Sequence, residues 1–188
     1  MYSNRVDHPL CLKTTRLYLR PFCAEDADML VRVANDFKVA DTTLAVPHPF
    51  NHQSAIEWLR PLPLYFEAGM RTTWAITGIV DGLLMGMISL STDAASEGTA
   101  ELGFWLGSAY WNQGFATEAG AAVLDYAINH RGINMIKAYH FARNVACGRV
   151  LAKLGFAFMA YEKSAVLKWD QWEDIIIYKK DCIRLNNP

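Results

Sequence analysis

"ELGFWLGSAYWNQGFATEAGAAVLDYAI", Glu101–Ile128, passes from an alternating apolar segment through a short polar loop into small and apolar residues at helical period. The alternation predicts a strand over 99–107, with Glu101, Gly103 and Trp105 on one face and Leu102, Phe104 and Leu106 on the other. The later spacing predicts a helix from Phe115 to about His130, ending before Gly132. Between them, Gly114 spares the amides of Gln113, Gly114, Phe115, Ala116 and Thr117 an obstructing side chain. Such a helix start carries unpaired N–H groups and partial positive charge, a natural seat for phosphate. A plain loop-helix junction accounts for the same residues. The glycine-lysine phosphate loop and the GxGxxG dinucleotide pattern are both absent.

Working outward, "RLYLRPF" (16–22) reads as a strand stopped by Pro21. "CAEDADMLVRVANDF" (23–37) reads as one helix with acidic residues near its start. A second helix is expected from about Gln53, interrupted at Pro61 and Pro63. "TTWAITGIV" and "LLMGMISLS" form a hairpin turned at Asp81-Gly82. After the central helix come a strand "NMIKAYHF" (134–141), a helix "NVACGRVLAKL" (144–154) closed by Gly155, and strands "FAFMAYEK" and "WEDIIIYKK". No repeat, low-complexity tract or linker breaks the series. This order mixes antiparallel pairing with one parallel crossover, an α+β sheet in one domain spanning 1–188 with its core about 14–180.

Composition agrees. The 188 residues are enough for one domain with a sizeable core, and they are 52% hydrophobic and 20% charged. A net charge of -1 offers no field to recruit nucleic acid or an anionic membrane. The four cysteines, Cys11, Cys23, Cys147 and Cys182, lack metal or disulfide-framework spacing. The first residues lack an apolar leader core, and nowhere do about 18 apolar residues run together. A reduced, cytoplasmic, metal-free protein is expected. His48 and His52 lack the carboxylate support of a metal site. Trp58, Trp74, Trp169 and Trp172 are expected in packing.

"AELGFWLGSAYWNQGFATEA" followed by "NVACGRVLAKLGF" (144–156) resembles the GNAT superfamily of N-acetyltransferases, more narrowly its RimJ/RimL-like branch. The likeness runs from about Thr14 to Lys180 and includes "TTRLYLRPF", "ANDFKVADTTLAVPHPF" and "WEDIIIYKK". The resemblance implies a mixed, mostly antiparallel sheet with helices on both faces. It also implies a strand holding 101–107 that splays from its parallel neighbour, 134–141. Acetyl-CoA as cosubstrate would lie in that wedge, its pantetheine arm pairing with backbone near Phe104, Trp105 and Leu106. The family's pyrophosphate loop, Gln/Arg-x-x-Gly-x-Gly/Ala, falls on 111–116, and Trp111 departs from it at the first position. The implied partners are acetyl-CoA and an amine acceptor, either a protein N-terminus or a small molecule, on a monomer or homodimer.

Acetyl transfer needs a neutral amine, a stabilised oxyanion and a protonated leaving thiol. Glu101 matches the family's general base, acting directly or through water, and is otherwise a strand-start charge or ion-pair partner. It lies roughly 20 Å along the strand from Gly107, at roughly 3.3 Å per residue, comparable to the reach of a pantetheine arm. Neutralising a lysine amine at pH 7 costs about 4.6 kcal/mol, and an α-amine only about 1.1 kcal/mol. Cys147 takes the place of a serine that donates the thiol's proton in relatives; a small buried filler is the other reading. Asn144 either bonds pantetheine amides or orders its own loop. Arg149 and Lys153 are placed for coenzyme phosphates or as surface charge. Tyr178 lines the acceptor end or belongs to the core, and residues 48–59 border the acceptor pocket. The alternative to an enzyme is a catalytically inactive coenzyme A-binding or regulatory module on the same fold.

Overall fold

Strands β1 (Leu12–Lys13) and β2 (Leu17–Pro21) open a computed structural model that describes residues 10–92 and 96–182. The leader reading of residues 1–9 lies outside these. Instead of one helix over 23–37, a 3-10 turn at Ala24–Asp26 leads into α1 (Ala27–Ala34) and a separate α2 (Phe37–Thr42). Polar contacts, two of them with residues outside it, divide the segment. Arg20 forks onto Asp26 with two 2.7 Å hydrogen bonds. The Phe50 amide donates to Asn35 Oδ1 at 3.0 Å, and Asp36 caps α2 by accepting from the Lys38 amide.

Helix α3 (His52–Leu59) gives way to α4 (Leu62–Glu67) at the expected proline interruption. Pro61 caps α4 and Pro63 sits in its first turn, where a missing N–H is harmless. The Asp81-Gly82 hairpin joins β3 (Arg71–Gly78) to β4 (Leu84–Thr92), with Gly82 at φ 67° and Asp81 accepting from the Leu83 amide. Then follow β5 (Thr99–Leu106), α5 (Phe115–His130), β6 (Met135–Phe141) and α6 (Val145–Lys153). Strands β7 (Ala157–Lys168) and β8 (Gln171–Asp181) run longer than their sequence suggests. Register shifts along β7 hide its period, and the two turn residues Trp169 and Asp170 both take positive φ.

The sheet has eight strands in the order β1-β2-β3-β4-β5-β6-β8-β7. Every neighbouring pair is antiparallel except β5 and β6, which α5 connects as a parallel crossover. One face packs α5 and α6 over Leu19, Ile76, Ile88, Leu102 and Ile136. The other packs α1 and α3 through Leu30, Ala55 and Ala75. Trp74 is fully buried and donates to the Leu10 carbonyl at 2.6 Å; Trp58 packs edge-on against Phe22. Trp172 corrects the packing expectation, being 64% exposed at the β7–β8 end, while Trp169, 45% exposed, stacks on Phe37. No helix among the described residues is long and apolar enough to cross a membrane.

One feature of the ladder positions everything that follows. Strand β5 pairs with β4 as far as Leu106, yet with β6 only at Thr99, Ala100 and Glu101. Strand β6 meanwhile stays paired with β8 to Phe141. The two parallel strands therefore part after Glu101 and Lys137, each held by its outer neighbour. Gly86 keeps β4 close at the far end, because a Cβ there would run into the Trp105 carbonyl oxygen and the Leu106 backbone. Gly86→Ala is expected to cost about 1–3 kcal/mol by overpacking. Its urea midpoint should fall with an unchanged m-value, and an unaltered midpoint contradicts the close approach.

Candidate active site

The parted strands open into a cleft of about 560 Å³. Glu101, Phe104, Trp105 and Leu106 line it from β5. Gly114, Phe115, Ala116 and Thr117 line it from the start of α5, and Asn144, Cys147 and Arg149 from α6. Lys153 lines it too, so of the candidate coenzyme and catalytic residues only Gln113 stands outside the cavity. Its side chain donates to the Ala109 carbonyl at 2.8 Å, and its own carbonyl accepts from Arg16 Nη1 at 3.0 Å, so it braces the loop from behind.

That loop is built to hold a helix start bare. Trp111, the departure from the family pattern, donates from Nε1 to the Leu106 carbonyl at 2.7 Å and packs into both apolar clusters. Asn112 and Gly114 take positive φ, 60° and 82°. Gly114 is the N-cap of α5, and no side chain caps the helix. Its first amides face the cleft with the dipole's positive end behind them. Arg16 locks the arrangement, pairing with Glu118 at 2.7 Å and lying 4.4 Å over the Phe115 ring. The sequence offered no local signal for this contact across about a hundred residues.

On the opposite side, Asn144 caps α6 by accepting from the Cys147 amide at 3.2 Å, and its Nδ2 reaches the Thr42 carbonyl at 3.4 Å. It orders its own turn. Burial pushes the Cys147 thiol up to about 12. Tyr178 does not line the cleft; it packs in the core and stacks on His140. His140 is a lining residue that the sequence did not flag. It is 6% exposed, its Nδ1 lies 2.8 Å from the Phe141 carbonyl, and Nε2 is buried without a partner. Gly148 makes room for it, since a Cβ there would lie 2.9 Å from His140 Nε2.

Residues 42–46 and Trp58 also line the cleft, as do Arg71, Ser89, Glu101 and Tyr139. His48 turns away to pack on Phe37, and His52 lies 3.4 Å from Asp28. Glu101 keeps contact with solvent, yet burial of its carboxyl by the walls raises its pKa, with the Arg71 guanidinium pulling the other way. Burial and the Glu101 charge likewise raise the Tyr139 phenol, again opposed by Arg71. Among the described residues no group of three His, Cys, Asp or Glu could hold a metal ion.

Comparison with known proteins agrees with this geometry. Residues 16–157 match the family model described as an acetyltransferase (GNAT) domain. The uncharacterized N-acetyltransferase YoaA of Bacillus subtilis (strain 168) is 24% identical over 177 residues, covering 94% of this chain and 97% of its own. The fold is shared with RimL, a ribosomal-protein α-N-acetyltransferase solved in complex with coenzyme A, at TM-score 0.83 and 16% identity over 91% of this chain and 97% of that one. It is also shared with MccE, a microcin C7 self-immunity acetyltransferase solved with acetyl-CoA and AMP, at TM-score 0.80 and 17% identity over 89% and 93% of the two chains.

Gly114→Val adds a branched side chain at the loop and forces a β-branched residue to positive φ. Affinity for acetyl-CoA, measured by isothermal titration, should drop at least tenfold. Unchanged affinity removes the loop from coenzyme binding.

Proposed function

The chain belongs to the acetyltransferase (GNAT) family, and from that premise we propose that it transfers the acetyl group of acetyl-CoA to a primary amine presented at the Glu101 end of the cleft. The observation that carries this reading is the parting of β5 from β6 beside an uncapped helix start. The open edge of β5 near Phe104, Trp105 and Leu106 is free to pair with the amides of a pantetheine arm. The amides of Phe115, Ala116 and Thr117 receive the pyrophosphate. Arg149 and Lys153, on the cleft side of α6, add positive charge at that end.

Acetyl-CoA supplies the activated thioester and leaves as the coenzyme A thiol. The chain's own contribution at the other end is a carboxylate that takes the amine's proton. Glu101 suits this, because burial raises its pKa and makes it a stronger base than an ordinary glutamate. An α-amine asks least of such a base, and the RimL and RimJ neighbours are named for ribosomal-protein N-termini or bound to coenzyme A. Cys147 is assigned to packing. A thiol pushed up to about 12 by burial, well above the usual cysteine value of about 8.5, gives up its proton poorly to a departing thiolate.

Thiol release from acetyl-CoA, followed across N-terminal peptides, polyamines and amino sugars, tests the reading. Amine-dependent release with a matching N-acetyl product is expected. Tight coenzyme binding with no release on any amine indicates an inactive coenzyme-binding module. Glu101→Gln should lower kcat by about 10²–10⁴-fold with acetyl-CoA affinity within twofold. The acid limb of kcat/KM should lie above the ordinary glutamate value of about 4.3 and vanish in the variant. An identical pH profile in the variant rules Glu101 out as the base. Cys147→Ala should keep kcat within about threefold. A loss beyond a hundredfold at unchanged coenzyme affinity reinstates Cys147 as the proton donor.

A further inference from the structure

At the Glu101 end of the cleft stands a cationic side chain, Arg71, with no carboxylate in contact among the described residues. Arg71 begins β3 and lines the cleft wall. Its register partner on β4 is Ser91, which in turn stands opposite Glu101 on β5. Arg71 and Glu101 therefore share one cross-strand row and one face of the sheet, two strands apart. That is a backbone separation of about 10 Å, with both side chains reaching into the space between.

The surroundings of the two groups are unusual. Arg71 Nη2 donates to Ser89 Oγ at 3.1 Å, while its Nε is buried without any partner. Arg71 joins none of the ion pairs formed among the described residues. By contrast, Arg16, Arg20 and Arg143 each have a carboxylate at 2.7–2.9 Å. Glu101 feels Arg71's field but is not in contact with it. A guanidinium drawn partly out of water, whose hydrogen-bond partner among the described residues is a hydroxyl, carries a desolvation cost that a contacting carboxylate would offset. A carboxylate removes that cost, and the planar fork of arginine binds carboxylates better than any other side chain does.

We propose that Arg71 is an acceptor-recognition residue and that the amine acetylated here carries a carboxylate within a few bonds of its nitrogen. The inference rests on the acetyl-transfer reading, since it assigns the acceptor for that cleft. Glu101 takes the amine end of such a molecule and Arg71 the acid end, so the row of opposite charges matches a zwitterion. Two sources provide this chemistry: the α-carboxylate of a free amino acid, or the side-chain carboxylate of a peptide beginning with Asp or Glu. A polyamine has only like charge to offer Arg71 and is disfavoured.

Matched acceptors test this. Free amino acids are compared with their α-amides, and peptides beginning with Asp or Glu with those beginning with Asn or Gln, in wild type, Arg71→Lys and Arg71→Met. Wild type should favour the acid over its amide by on the order of ten- to a hundredfold in kcat/KM, within whichever of the two sets it accepts. The ratio should shrink in Arg71→Lys and approach one in Arg71→Met, with acetyl-CoA affinity unchanged. Turnover with no acid preference, or a preference that survives in Arg71→Met, overturns the assignment and leaves acetyl transfer standing. Titration of the same pairs into the coenzyme A complex gives a readout independent of turnover. Arg71-dependent binding of the acid without any acetylation upholds the assignment and defeats the transfer reading. No acid preference in either assay defeats the assignment.

Discussion

Two parallel strands that stop pairing after three residues constrain everything else in this protein. Within a sheet, an unpaired edge is ordinarily a liability, and chains cover it or close it. Here β5 is held open by its full antiparallel ladder to β4 while β6 follows β8, so the divergence is built into the framework on both sides. Gly86 and the Trp111–Leu106 hydrogen bond fix the far end of β5, where the strand hands over to α5. Loss of either would let the floor of the cleft drift and spoil the register between open edge and helix start.

Along that cleft the chemistry is graded. The α5 end offers main-chain N–H groups, a helix dipole and the α6 cations, all suited to an anion. Midway, β5 presents backbone and apolar side chains. The other end offers a partly desolvated carboxylate, a phenol and a guanidinium whose fields act on one another. A long ligand with phosphates at one end and a small reactive group at the other fits this order. On the proposed reading separate elements meet separate demands: α5 and its loop the anchoring, β5 the threading, and β3, β5 and β6 the acceptor.

Much of this was legible in the sequence because local signals carried it. Strict alternation in 99–107, a helical period after Gly114 and an Asp-Gly turn each report a short-range preference. The resemblance in "NVACGRVLAKLGF" then located the second wall. What escaped detection depends on contacts distant in sequence. The split of 23–37 into two helices follows from Asn35 reaching Phe50 and Asp26 reaching Arg20. The long β7–β8 ribbon was obscured by bulges that break its period. His140 and Arg71 carry no motif, and the fold of the sheet brings them to the cleft, while Arg16 reaches the loop through Glu118 and the Gln113 carbonyl. Cys147 shows the opposite limit: its position in the motif left proton donor and buried filler both open, and its burial favours the filler.

Backbone amide exchange with and without acetyl-CoA tests the central claim most directly. The account predicts new protection concentrated in two stretches, 103–106 on β5 and 115–117 at the start of α5, with the β7–β8 ribbon unchanged. Protection that leaves both stretches untouched, or that appears only on the outer strands, contradicts a coenzyme threaded between β5 and β6.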